Sequence, residues 1–217
     1  MRLFLCGLIL VTCAFFVSCT SPRLEWALRD NPVGIPFSPK NVFSVDTLPQ
    51  GIQRVLFMPV NCEHVSVQEF ARLKEVFLSE LRRSERFSVV TADSMRQLTK
   101  SSKDALLDLK TLLALKDEYD VQAILELQLT HYRPYKPQLI GVNARLFTVD
   151  SVKPEVLWAL DSLFDAGQDS VALGARMHAQ KYKQQVFPLA SSYTNLNVPR
   201  RFAAYVAFTI FRTLPEI

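Results

Sequence analysis

Apolar and polar positions along this chain follow two different periods, and the change from one to the other marks out the elements. In "SVQEFARLKEVFLSELRRS" the residues Phe70, Leu73, Val76, Phe77 and Leu81 recur three and four apart, the spacing of one helix face. Ser66 followed by Glu69 supplies the hydrogen-bonding pair of a capping box, so the helix starts there. On either side, "RVLFMPV" (54–60) and "FSVVT" (87–91) are short apolar runs rich in strand formers. Two strands joined by a crossover helix pair in parallel, which predicts a β-α-β unit.

Two more helices are expected next: "ADSMRQLTK", capped by Asp93, and "SSKDALLDLKTLLALKDEYD", capped by Ser101 or Ser102, with an apolar stripe through Leu106, Leu109, Leu112, Leu113 and Leu115. The period then switches to two. "VQAILELQLTHY" sets Leu125, Leu127 and Leu129 against Glu126, Gln128 and Thr130; "QLIGVNARLFTV" sets Ile140, Val142, Ala144 and Leu146 against Asn143 and Arg145; "EVLWALDSLFDA" sets Trp158, Leu160 and Phe164 against Asp161 and Asp165. One apolar and one polar face per strand is the pattern of an antiparallel meander packed on one side. The tail holds a helix in "DSVALGARMHAQKYKQQ" and another in "VPRRFAAYVAFTIFRTLPEI", where Pro199 suits a helix start. The second is apolar almost all round but too short to span a bilayer, so it is expected to be a buried helix closing the domain, the alternative being a helix that touches a membrane or partner. The expected fold class is α/β (α+β): a mixed sheet with a β-α-β unit, two helices, a three-stranded antiparallel meander, and C-terminal helices packed on the sheet.

The amino-terminal run from Leu3 to Val17 carries no charge, follows Arg2 and ends in Ser18, Cys19, Thr20, Ser21 and Pro22. It is shorter than the ~20 apolar residues of a spanning helix and has the layout of a secretory signal. Phe16-Val17-Ser18-Cys19 resembles the cleavage box of bacterial lipoproteins, with Phe16 where Leu is more usual; Leu10-Val11-Thr12-Cys13 is a poorer competitor, and an ordinary signal peptide or uncleaved anchor is the third reading. The division expected is a lipoprotein signal peptide over 1–18, a Pro-rich tether over 19–50, and a single α/β periplasmic domain over 51–217 with a helical extension from about 167. Trp26, Phe37 and Phe43 suggest that parts of the tether dock on the domain. Cysteine usage agrees: Cys6 and Cys13 lie in the apolar run, lipid at Cys19 would consume its thiol, and Cys62 is left without a disulfide partner. Stable anchoring needs two or more acyl chains. Thr20, in the place where Asp signals inner-membrane retention in well-studied Gram-negative bacteria, makes an outer-membrane anchor facing the periplasm the expected location.

Charge and composition narrow the chemistry. With 25 Lys and Arg against 21 Asp and Glu, interleaved throughout, the net charge of +4 forms no basic stripe, and nucleic acid is not an expected partner. His64, His131 and His178 share no metal-ligand spacing, so no metal or cofactor is expected. Cys62 and His64 are close in sequence but lack an orienting third group, and Asp161 and Asp165 lie about 13 Å apart along a strand, too far for paired-carboxylate chemistry. Six glycines and no nucleophile or phosphate-loop motif argue against an enzyme, and no catalytic residue is assigned. The polar stretch that stands out is "HYRPYKPQ", where two prolines flank a hairpin tip carrying Tyr132, Arg133, Tyr135 and Lys136. It reads first as a rigid turn. The sharper expectation is that these four residues, with the polar outer face of the meander, bind a protein partner or the glycan wall, since amphipathic aromatics and Arg are enriched at contact surfaces.

Three phrases carry a resemblance. Glu85-Arg86-Phe87-Ser88-Val89-Val90, Tyr119-Asp120-Val121-Gln122-Ala123-Ile124 and Arg145-Leu146-Phe147-Thr148-Val149-Asp150 look like the strand entries of the envelope α/β domain shared by the TolB amino-terminal domain, curli-type secretion lipoproteins and lipoprotein activators of penicillin-binding proteins. The resemblance covers residues 52 to 166, departs at Lys153-Pro154 and stops after Gly167. It implies a non-enzymatic, lipid-anchored envelope protein that assists or regulates a periplasmic or outer-membrane machine through protein contacts, with an envelope protein, or a peptidoglycan-associated one, as partner. Two alternatives stand beside it: an oligomeric curli-type secretion-channel subunit, and a hydrolase with an unrecognised site.

Overall fold

The computed structural model describes residues 34–60, 65–91, 109–149, 154–186 and 194–216. Six strands, β1 (Val42–Ser44), β2 (Arg54–Val60), β3 (Ser88–Thr91), β4 (Ala123–Arg133), β5 (Leu139–Thr148) and β6 (Glu155–Asp165), form one mixed sheet in the order β1-β6-β5-β4-β2-β3. β2 runs parallel to both β3 and β4, while β4, β5, β6 and β1 are successively antiparallel. The β-α-β unit and the meander are as the two periods predict. The helices are α1 (Val67–Arg83), α2 (Leu109–Tyr119), α3 (Asp169–Val186), the single turn α4 (Thr194–Asn197) and α5 (Pro199–Phe211). The helix expected over 92–100, the caps at Ser101 and Ser102, and everything up to residue 33, including Cys19 and Trp26, lie outside the described residues.

The helix α1 begins where the capping box places it. The Glu69 backbone N–H donates to Ser66 Oγ at 3.2 Å, and the Ser66 hydroxyl donates to the Glu69 carboxylate at 3.1 Å. At its far end Glu85 takes φ 54°, the left-handed region where a side chain costs roughly 1 kcal/mol, to turn the chain into β3. The join between β2 and β4 rests on groups that no periodicity reveals. Gln122 Oε1 accepts the backbone N–H groups of Gln53 and Arg54 at 3.2 and 2.8 Å, and Arg54 pairs with Asp120 at 2.7 Å.

One face of the sheet is covered by α1, α3 and α5. Leu73, Phe77 and Leu81 of α1 and Phe202, Val206 and Ile210 of α5 pack with Phe57, Leu127, Val142 and Trp158 of the strands. Trp158 is fully buried and donates its indole N–H to Thr213 Oγ1 at 3.1 Å; Phe77 meets Phe211 edge to face at 6.3 Å. The final apolar helix is therefore buried core. On the opposite face α2 sets Leu112 and Leu115 against Leu56, Ile124 and Phe147 at one end of the sheet.

From Gly34 onward the Pro-rich segment lies on this unit. Its β1 strand pairs with the edge of β6, a strand that the closely spaced prolines concealed. The Phe37 ring packs edge to face on Phe164 at 5.0 Å, its N–H donates to the Ser170 carbonyl at 2.9 Å, and Leu48 N–H donates to the Glu216 carbonyl at 2.8 Å.

Candidate functional site

The β4–β5 hairpin exists because two alternating runs meet at a Pro-bounded tip, and its base is fixed from below. Arg133 Nε donates to the Pro137 carbonyl at 2.7 Å, and the same guanidinium lies 3.7 Å from Asp165 Oδ1. Asp165 Oδ1 also accepts the Gly167 N–H at 2.8 Å, and the Gln138 carbonyl accepts the Ala166 N–H at 2.8 Å. A side chain at Gly167 would begin 3.1 Å from Asp165 Oδ1, so glycine lets the turn after β6 close against the tip. Asp165, expected on a solvated face, is a brace, whereas Asp161 is exposed.

These contacts divide the four residues named at the tip. Tyr132 is half-buried against the main core, and burial, then the Glu69 carboxylate, raises its phenol above the usual tyrosine range. Arg133 is held by Pro137 and Asp165. Tyr135, 79% exposed, and Lys136 project into solvent. Tyr132 and Arg133 are thus held within the turn, and Tyr135 and Lys136 are presented by it.

Register carries the presented surface onto the open face of the meander. Gln128, Asn143 and Asp161 form one cross-strand row, and Glu126 faces Arg145 with a 2.7 Å ion pair in the next. Phe43 (55% exposed), Val156 and Leu163 punctuate this face. Among the described residues α2 alone packs on it, at the far end. β4, β5 and β6 have 11, 10 and 11 residues, long enough for a barrel strand, but their apolar faces lie under α1, α3 and α5.

The remaining candidates are scattered. Cys62 and His64 fall outside the described residues. His131 is exposed, its Nδ1 3.3 Å from Thr130 Oγ1. His178 is buried on α3 beside Tyr205 and Phe208 of α5, with ring centroids 5.9 and 5.0 Å away. Burial, aided by the positive charges of Arg83 and Lys181, lowers its pKa to about 4, so it is neutral at pH 7. Burial pushes the neighbouring Tyr205 phenol up to about 12. These rings form the floor of a groove of about 600 Å³ between α3, α5 and the strap 36–39. Sequence reading missed it because His178, Lys181 and Arg212 come together only when the two tail helices pack. Among the described residues no three His, Cys, Asp or Glu side chains gather as a metal site, and no helix is long and apolar enough to cross a membrane.

No family model matches the chain, and no curated protein matches it by sequence. The chain is similar to several solved structures. PelC, a dodecamer from Paraburkholderia phytofirmans, is 13% identical with a TM-score of 0.43 over 77% of this chain and 95% of its own. Lipoprotein GNA1162 from Neisseria meningitidis is 17% identical with a TM-score of 0.37 over 61% of this chain and 97% of its own. TolB from Acinetobacter baumannii, whose amino-terminal domain the sequence phrases resemble, is 12% identical with a TM-score of 0.30 over 67% of this chain and 31% of its own.

Proposed function

We propose that this chain is a non-enzymatic, lipid-anchored protein of the bacterial envelope that assists or regulates an envelope machine through protein contacts. The lipid at Cys19 would hold it at the outer membrane, facing the periplasm. The observation that carries the contact role is the division of labour at the hairpin tip: a backbone braced by Arg133, Asp165 and Gln138 holds Tyr135 and Lys136 out at the end of a polar sheet face. A rigid aromatic beside a cation is the kind of anchor that lowers the ordering cost of binding. The signal-like amino terminus and the lone Cys62 after it fit an exported, membrane-tethered chain.

The test is affinity purification of the tagged full chain from membranes, with mass spectrometry of its amino terminus and of the proteins it retains. The reading expects a lipid-modified peptide beginning at Cys19 and an envelope protein that is retained by the wild type and lost from a Tyr135→Ala/Lys136→Ala variant. An intact Met1 would remove the anchor; retention unchanged in the variant would remove the tip.

A further inference from the structure

The groove between α3 and α5 combines a carbon surface with two cations, Lys181 and Arg212. Phe37, Met177, Tyr205 and Phe208 line it, and Pro36 and Pro39 of the strap close one side. Its volume falls within the range of small-molecule sites, about 300–1,000 Å³. Lys181 Nζ and the Arg212 guanidinium carbon lie 5.6 and 5.5 Å from the centroid of the same ring, Phe208. Among the described residues neither cation has an ion-pair partner, unlike Arg54, Arg83, Arg133 and Arg145.

The two threonine hydroxyls in the groove are already used within the chain, whereas the Tyr205 hydroxyl on its floor has no hydrogen-bond partner among the described residues. Thr209 Oγ1 donates to the Tyr205 carbonyl at 2.8 Å, and Thr213 Oγ1 donates to the Ile210 carbonyl at 2.7 Å while accepting from Trp158. His178 on the floor is neutral at pH 7, chiefly because it is buried and secondarily because Arg83 and Lys181 are positive. The groove thus offers a ligand aromatic and thioether surface, two cations and the Tyr205 hydroxyl.

We propose that this groove binds an amphiphilic anion, its apolar body against Phe37, Met177 and Phe208 and its carboxylate or phosphate between Lys181 and Arg212. Both cations lie within 5.6 Å of the Phe208 ring centroid, and an anion seated in the groove is attracted by each. Cation–π contact with Phe208 holds both side chains in position beforehand. A peptide is a poorer fit: the walls are two helices and a strap bearing two prolines, with no free strand edge to extend.

The test uses the full chain in phosphatidylcholine nanodiscs with two photoreactive probes, a diazirine-bearing palmitate and a phosphatidylglycerol carrying the same diazirine in one acyl chain. The expected result is saturable labelling that maps by peptide mass spectrometry to 174–181 and 205–213. It should fall at least tenfold in a Lys181→Ala/Arg212→Ala variant, both side chains being exposed, and stay unchanged in Lys110→Ala, an exposed position on the opposite face. Labelling by palmitate points to a free single-chain anion and labelling by phosphatidylglycerol to a membrane lipid; either supports the groove. If Cys19 carries no lipid, groove labelling by palmitate is still expected, so the two ideas fail separately. Labelling absent from these segments, or equal in the double variant and the wild type, would overturn the proposal.

Discussion

On one face of the sheet Trp158, Phe77 and Phe202 lie wholly or almost wholly out of solvent beneath three helices; on the other, Gln128, Asn143 and Asp161 form a cross-strand row largely in water. The strands are the same, and alternation sends consecutive residues to opposite environments. The covered face holds the fold, because burial of large apolar side chains is the main favourable term. The open face contributes little to stability, which leaves it and the hairpin tip free to meet another surface.

That contrast can be broken by substitutions on each side. Truncating the covered face at Trp158→Ala should cost about 3–5 kcal/mol, seen as a fall in the urea midpoint with unchanged slope. The next largest effect is one of pH. His178 has a folded pKa lowered to about 4 from an ordinary 6.5, so the unfolded chain binds its proton first as pH falls. Its contribution is complete above pH ~6.5 and is lost progressively down to pH ~4, up to about 3 kcal/mol, and His178→Gln should flatten that part of the stability profile. At Gly174 a Cβ would stand 2.3 Å from the Tyr205 hydroxyl, so Gly174→Ala should destabilise by ~1–3 kcal/mol by forcing α3 and α5 apart.

Effects on the open face should be smaller. Arg145→Ala removes the partly exposed pair with Glu126 and should cost no more than about 1 kcal/mol, less at high salt. Tyr135→Ala with Lys136→Ala should leave the melting curve within about 0.5 kcal/mol of wild type, while losing partner retention. A large loss of stability from either would mean that the open face is part of the core.

The helix α1, the parallel β2–β3 pair and the meander were legible because each rests on a local signal: the Ser66–Glu69 cap, the 3.6 period of Leu73, Phe77 and Leu81, and strict alternation through Leu125, Leu127 and Leu129. Strand β1 was not, since three residues among prolines carry no period, and it becomes a strand only by borrowing the edge of β6. The junction of β4 with β2 depends on Gln122 and Asp120 meeting Arg54, contacts across more than sixty residues. At the hairpin, sequence named Tyr132, Arg133, Tyr135 and Lys136 together; only packing separates the two that brace from the two that project. The groove was illegible for the same reason, because Lys181 and Arg212 meet at Phe208 through tertiary packing.

The proposed function places the partner contact at the hairpin tip rather than on the helical face. A photoreactive benzoylphenylalanine placed at Tyr135, or in a second chain at the exposed Ser79 of α1, tests it in intact membranes. The account predicts one discrete cross-linked species from position 135 and none from position 79. Cross-linking from 79 alone, or equally from both, would contradict it.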